Sequence, residues 1–469
     1  MQGEISRQVL RITMIDSASL RRASRGDVIL PNDESYDAAR SVWNALIDKR
    51  PAIIVRAKNV SDVSAAVGFA AENHLPISVR GGGHSVAGTA VCQDGVMIDL
   101  SAMRSVEVDP ARRTARVEGG ATLADLDAET QKSGLAVPSG AVSSTGVAGL
   151  TLGGGFGWLS RRFGLAADNL LAVDIVTADG RLITASDQEN RDLFWAVRGG
   201  SGNFGAVVSF VFRLHDVGPE VLFGPTVYRL EDAAEVLRHY RAFAIDAPRE
   251  CCVWADLMTA PPMPFLPERY HGAKVLTLMQ CCSGDLADGE TVLAPLRGFG
   301  TPIGDAVGPM RYADAQQMLD GTYAKGLRNY WRSTNFRTLP DATIEKLVRV
   351  AATMPTPETD VLICQLGGAI GDVLSDATAF PHRETGFVVT PGARWRAPHD
   401  DERCLAWIRE VGDTLAQDAD GGQYVNFISE GTGQESSAYG GNYARLKAVK
   451  KAYDPENLFR SNQNVRPDG

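Results

Sequence analysis

The stretch that most constrains this chain is Pro76 to Ser85, PISVRGGGHS: a short apolar run with β-branched residues, then Arg80, three consecutive glycines and His84. Glycines tolerate positive φ and carry no Cβ, so the backbone can approach a ligand and turn successive N–H groups toward an anion. The loop is therefore expected to cradle phosphate oxygens. The imidazole at its end is then within reach of the reactive ring of a cofactor whose diphosphate the loop holds.

At 469 residues the chain exceeds one ordinary core, and two or more domains are expected. Its 47 basic and 57 acidic residues give a net charge of -10 with no basic tract, which argues against nucleic acid or an anionic membrane and for a small-molecule partner. The first 26 residues lack a continuous apolar segment with a small-residue cleavage site, and no later run approaches the roughly 18 to 20 apolar residues of a membrane span. A soluble, cytoplasmic protein is expected. The seven cysteines (Cys92, Cys251, Cys252, Cys281, Cys282, Cys364 and Cys404) include two adjacent pairs but no C-x-x-C spacing, so reduced thiols and no metal site are expected.

Along the chain, the residues up to about 25 are polar and weakly patterned, an arm or short helix. Ser35 to Asp48 has helical spacing through Ala39, Val42, Trp43 and Leu46, and Pro51 to Val55 reads as a strand. Ser61 is placed to cap a helix from Asp62 to Asn73, which leads into the strand Ile77 to Val79 and the glycine loop. Short strands follow from Val96, and Thr122 caps a helix that ends near Gly134. Leu135 to Gly157 is a glycine, serine and threonine tract with neither period. Its Val142, Val147, Leu150 and Leu152 are apolar enough for burial, which suggests chain wrapped closely against a ligand.

Asp179-Gly180 is the dipeptide of a tight hairpin between two strand-like runs. Gly200, Gly202 and Gly205 match GxGxxG, but they follow a helical run and open the strand Ala206 to Leu214. A dinucleotide fingerprint needs the reverse order, so this is expected to be a tight turn in some other nucleotide geometry. Beyond Asp216 to Pro219 the glycine-rich character stops. Helices over Asp232 to Ile245, Asp341 to Thr353 and Asp401 to Leu415 then alternate with strands Lys274 to Gln280, Val361 to Leu366 and Gly386 to Val389, an α+β pattern on a largely antiparallel sheet. Tyr330 and Trp331 are expected in its core. From about 420 a strand, Tyr424 to Ile428, and a helix, Tyr443 to Tyr453, suggest a chain returning to its first domain.

Four motifs in order, RGGGHS, PSGAVSSTGVAGLTLGGGFG with RFGLAADN, FWAVRGGSGNFG, and YGGNYARLKAVKKAYDPENLF, together resemble the berberine-bridge-enzyme-like flavin oxidases of the vanillyl-alcohol-oxidase/para-cresol-methylhydroxylase fold. The resemblance spans about 36 to 466. It implies an α+β fold: a two-subdomain FAD-binding domain at about 25–215, an inserted substrate domain on an antiparallel sheet at 216–419, and a C-terminal segment, 420–469, rejoining the first. It implies FAD as cofactor, with Arg80, Gly81, Gly82, Gly83, Ser85, Gly140, Ser144, Thr145, Gly149, Gly205, Val207, Asn426 and Asn464 around it. His84 matches the histidine that the family links to the 8α carbon of the flavin. Tyr424 falls on the tyrosine that serves as base in related sugar oxidases, and Gln365 and His382, with Arg383, are further candidates near a substrate.

One departure from the family pattern is Val142, which stands where many members carry a second linking cysteine; a single link through His84 is therefore expected. Cys92, in the strand-like AVCQDG, is not expected to substitute. Thr145 lies near the family's control point for oxygen. The resemblance thus implies hydride transfer from a small organic substrate to FAD, with molecular oxygen as electron acceptor and hydrogen peroxide as product. The alternatives are a secondary-metabolite tailoring oxidase or oxygenase and, from a different class, a redox-silent binding protein.

Overall fold

The segment before the glycine loop shows how the chain is built around that loop. In the computed structural model, which describes residues 17–429 and 435–467, the helix expected over Ser35 to Asp48 is one short turn, Tyr36–Arg40. It stops because the chain is diverted onto the loop: Arg80 Nη1 donates to Ala39 O, and Trp43 N–H donates to Gly83 O. Of the apolar positions, Ala39 is buried in that turn, Val42 and Trp43 are buried in irregular chain after it, and Leu46 is half-buried. Of the expected N-terminal arm, only the helix Ser17–Ala23 lies among the described residues.

Two sheets flank the loop. A four-stranded sheet runs Asp27–Ile29, Ile53–Arg56, Val96–Asp99, Ile77–Arg80 in spatial order, its last three strands parallel. The crossover helix Val60–Glu72 buries Val63, Ala66, Val67 and Ala70 against it. Asn59, two residues before the expected Ser61, is its cap, accepting from Asp62 N–H. A five-stranded antiparallel sheet follows, ordered Val106–Asp109, Thr114–Glu118, Ala206–Arg213, Leu170–Val176, Leu182–Ser186. The Asp179-Gly180 hairpin closes its edge, with Gly180 at φ 78°. Thr122 caps Leu123–Thr130 in a full capping box with Asp125.

The Leu135 to Gly157 tract is less irregular than its composition suggests. It contains a helix, Val147–Leu152, entered at Gly146 where that residue meets Gly82. Tyr424 to Ile428 departs in the other direction: it is a 3-10 turn, Val425–Phe427, with Phe427 N–H donating to Tyr424 O. No sheet edge receives it; Ser333 Oγ instead takes up the Tyr424 N–H.

The third layer is a nine-stranded antiparallel sheet whose centre is Lys274–Cys282, Cys251–Thr259, Asp360–Gln365 and Phe387–Trp395. Strand residues alternate between faces. Val253, Ala255, Val361, Ile363, Val389 and Trp395 pack on the helices Ala233–Asp246, Asp341–Ala352 and Asp401–Ala416, while Trp254, Leu362, Cys364 and Val388 face the glycine-rich region. Cys251 and Cys282 are directly opposed on neighbouring strands and form a disulfide, where reduced thiols were expected. Sequence spacing could not show that pairing, because it arises from strand register. The other five cysteines are free and buried. Among the described residues no helix is long and apolar enough to cross a membrane.

Candidate active site

The glycine loop leaves the strand Ile77–Arg80 at the edge of its sheet and turns beneath the helix Val147–Leu152. At Gly82 a Cβ would lie 2.4 Å from Gly146 N, and at Gly146 one would lie 2.2 Å from Gly82 N, so the two backbones touch only because both positions are glycine. Arg80 fastens the base of the loop. Its guanidinium bonds Asp99 through Nε and Nη2. Burial pushes the Asp99 carboxyl up, but Arg80's hydrogen bonds and charge outweigh this and hold it below the usual carboxylate range.

His84 follows, stacked on Trp43 with ring centroids 4.3 Å apart and planes 19° apart. Its Nε2 is buried without a hydrogen-bond partner, and burial lowers the imidazole to about 4. At neutral pH the ring therefore keeps an uncharged nitrogen that the protein does not use. An unpartnered buried polar atom calls for a ligand.

Behind the loop, the C-terminal segment is fixed by a fully buried pair, Lys450 Nζ and Asp454 at 2.6 Å. Lys450 also donates to Asn203 O and Phe459 O, and Asp454 accepts from Leu458 and Phe459 N–H. Ser461, Asn462 and Gln463 are thereby held against the GxGxxG turn, where Asn203 accepts from Val465 N–H. That match does turn tightly into the strand Ala206–Arg213, as expected.

Together these pieces line one cavity, about 1770 Å³ of empty space with the solvent at its open mouth included. Gly81, Gly82, Gly83, His84, Ser85, Gly140, Thr145, Gly149, Gly205, Val207, Tyr424 and Asn426 all line it. Val142 does too. Arg80, Ser144 and Asn464 do not: Arg80 is engaged with Asp99, Ser144 is exposed, and Asn464 stands beside the lining residue Gln463.

Gln365 and His382 are also outside the lining, against expectation. Gln365 is on the helix side of its strand, its amide accepting from Val253 N–H and donating to Ala244 O. His382 makes its hydrogen bond to Ala438 O, and Arg383 is paired with Asp168. Cys92 lies away from the cavity near Pro76 O.

Tyr424 is buried at the cavity wall. Its hydroxyl oxygen accepts from Gly155 N–H at 3.2 Å and from Asn426 Nδ2 at 2.9 Å, so the hydroxyl hydrogen has no acceptor in this set. Burial raises its pKa, and the two donors only partly offset that.

The opposite wall comes from the nine-stranded sheet and was not foreseen: Trp254, Asp360, Leu362, Thr390 and Gly392, with Tyr323 and Trp331. The available signal was period-2 alternation in the strands Cys251–Thr259, Asp360–Gln365 and Phe387–Trp395, which places these residues on one face. Tyr330 and Trp331 are both buried in hydrophobic clusters as expected, and Trp331 also lines the cavity.

The residues fit an FAD. There is a glycine cradle for a diphosphate, and the same cavity is lined by the apolar Ile77, Val79 and Phe459 and by the aromatic side chains Trp254, Tyr323, Trp331, Tyr424 and Phe427. Fold and site thus define a flavin-binding oxidoreductase. A family model for an FAD binding domain matches residues 51–186, and one described as berberine and berberine like matches 423–466. An FAD-linked oxidoreductase of Dictyostelium discoideum is 32% identical over 429 residues, 91% of each chain. The (R)-6-hydroxynicotine oxidase of Paenarthrobacter nicotinovorans is 32% identical, with 95% of this chain and 97% of the relative covered. Among solved structures, 6-hydroxy-D-nicotine oxidase from Arthrobacter nicotinovorans superposes with a TM-score of 0.85 at 29% identity, covering 95% of this chain and 98% of that one. Physcomitrella patens BBE-like 1 gives 0.85 at 25% identity, covering 94% and 97%. The chain belongs to the berberine-bridge-enzyme-like family of FAD-linked oxidases.

Proposed function

We propose that this enzyme is an oxidase whose FAD is attached covalently through His84 alone and whose electrons pass from a small organic substrate to molecular oxygen, giving hydrogen peroxide. Bound FAD supplies the redox chemistry, taking a hydride from a substrate carbon and reducing oxygen by two electrons. The observation that carries the reading is His84 Nε2: buried, uncharged, unpartnered, and at the end of the glycine cradle. Trp43 fixes the imidazole plane, and Val142 leaves the glycine tract without a second nucleophile.

The chain's other contributions are binding and proton handling. The glycine loop and Ser461 to Gln463 hold the cofactor, and the aromatic wall excludes water from the reacting end. Tyr424 is placed to take a substrate proton once its own hydroxyl proton has passed to solvent, with Gly155 N–H and Asn426 steadying the phenolate oxygen so formed. Similarity to proteins named as 6-hydroxynicotine oxidases supports a small organic molecule as substrate.

His84→Ala is the direct test. The wild-type protein is expected to be yellow and to keep its flavin on the polypeptide through acid precipitation and denaturing electrophoresis, whereas the variant releases it or never acquires it. A flavin peptide mapping to any residue other than His84 overturns the assignment.

A further inference from the structure

The sheet wall of the cavity contains a notch that defines part of the substrate. Gly392 is directly opposite Asp360 on one neighbouring strand and directly opposite Trp331 on the other, so the three residues form one row across the sheet. All three line the cavity. Side chains so aligned stand about 5 Å from each neighbour, and a glycine in the middle leaves a gap one side chain deep between the outer two. Both outer residues lean over it: the place a Cβ would take on Gly392 is 3.0 Å from Asp360 Oδ1 and 3.3 Å from Trp331 Nε1.

The polar atoms at this gap are engaged by no neighbouring side chain across it. Arg394 Nη2 and Tyr323 O–H both donate to Asp360 Oδ2, which fixes the carboxylate and turns its other oxygen, Oδ1, to the gap. Trp331 Nε1 is buried with no acceptor, as are the nearby wall atoms Trp254 Nε1 and Thr390 Oγ1. The notch thus offers one acceptor and one donor facing each other. A carboxylate there would meet Asp360 in like charge. An ammonium has no lone pair for the indole N–H. A hydroxyl satisfies both, donating to Asp360 Oδ1 while its oxygen accepts from Trp331.

We propose that the Asp360–Gly392–Trp331 row is a hydroxyl-recognition subsite, and that the substrate is a hydroxyl-bearing aromatic compound whose ring packs among the cavity aromatics. The proposal rests on the oxidase reading above and adds the substrate class to it.

The test uses the full chain with its flavin and three probes of one ring size: benzyl alcohol, benzylamine and toluene, titrated by ligand-observed NMR. Wild type is expected to bind benzyl alcohol more tightly than either other probe. Trp331→Phe keeps the ring and removes the N–H; benzyl alcohol should then bind about three- to tenfold more weakly with toluene unchanged, the effect of one hydrogen bond. Gly392→Ala fills the notch and should weaken benzyl alcohol at least as much. Equal losses for toluene and benzyl alcohol in Trp331→Phe, or tighter wild-type binding of benzylamine, overturn the subsite. NMR reads binding with or without attached flavin. A colourless protein that still discriminates therefore refutes only the oxidase reading, and a yellow one that does not discriminate refutes only the subsite.

Discussion

At His84 and Tyr424 burial shifts protonation in opposite directions and leaves both groups neutral at pH 7. For the imidazole this preserves a free nitrogen. For the phenol it means that the hydroxyl proton must leave before the oxygen can accept one from substrate, and the Gly155 and Asn426 donors favour that loss. Tyr424→Phe removes the oxygen while keeping the ring packed on Phe156 and Phe427. Flavin reduction in stopped flow is expected to slow by about 10²-fold, in the range for a lost acid–base group, with a much smaller change in substrate affinity. An unchanged reduction rate would remove Tyr424 from the chemistry.

Asp127 provides a residue-scale pH prediction away from the cavity. Burial raises its carboxyl to about 7, and the single hydrogen bond from Gln316 Nε2 only partly opposes this. Because the folded pKa lies above the free value of 3.8, the folded state binds the extra proton between the two. Stability from this group is full below about 4 and is lost as pH rises through about 7. Asp127→Asn is therefore expected to have little effect at a pH of about 4 and to stabilise by on the order of 4 kcal/mol at a pH of about 8. Thermal unfolding at both pH values checks this; parallel melting profiles for the two proteins would contradict it.

At the scale of elements, the glycine loop and the helix Val147–Leu152 act as one unit because Gly82 and Gly146 meet backbone to backbone. Gly82→Ala puts a methyl 2.4 Å from Gly146 N, and neither backbone can yield without moving the loop or the helix. The variant is expected to be purified with little or no flavin and a lowered melting temperature. Gly68→Ala, on the helix Val60–Glu72 with nothing within 4 Å of a Cβ and outside the cavity lining, should retain its flavin. Flavin absorbance per protein in the two variants distinguishes a specific contact from a general sensitivity of the fold to added methyls.

Gly82 and Gly146 also show why some of the site was legible in the sequence. Three glycines before a histidine, and a long permissive tract, can be read locally, because each glycine answers a local backbone requirement. The strands and helices with clear period were legible on the same ground. What failed depended on partners distant in the chain. Trp43 is buried against the loop and Val42 in a cluster with Ile54, Val91 and Met97, neither of them within a helix, and Tyr424 to Ile428 turns because its side chains meet Gly155 and Leu150. Gln365 was placed in the site from its motif, whereas the alternation of its strand sends Asp360 and Leu362 to the cavity and Gln365 to the helices. The row Asp360–Gly392–Trp331 exists only in the register of three strands, which no local pattern records.

For the molecule as a whole, the cavity exists because the nine-stranded sheet is held over the glycine-rich layers, and Arg161 is central to that seam. It lies on the short helix Ser160–Phe163, nearly fully buried, and donates to three carbonyls across the seam: Cys251 O through Nε at 2.9 Å, Leu366 O through Nη1 at 2.6 Å, and Ala247 O through Nη2 at 2.7 Å. Burial lowers its pKa, but an arginine remains charged, so these carbonyls are its solvation. Arg162 adds one bond to Ser283 O, and Ser143 bonds Asp320 nearby. Arg161→Met keeps the apolar stem and takes a donor from three carbonyls, two of them in buried hydrogen bonds, where a lost partner costs about 1–3 kcal/mol each. The sheet wall should then loosen before the cofactor layer does. Hydrogen exchange is expected to rise in Cys251–Thr259 and Asp360–Gln365 while the flavin stays attached and exchange in Ile77–Arg80 is unchanged. Substrate affinity should fall with it, because Trp254 and Asp360 are on the strands released. Uniform exchange across both layers would show instead that the seam carries no separate mobility and that the two layers open as one unit.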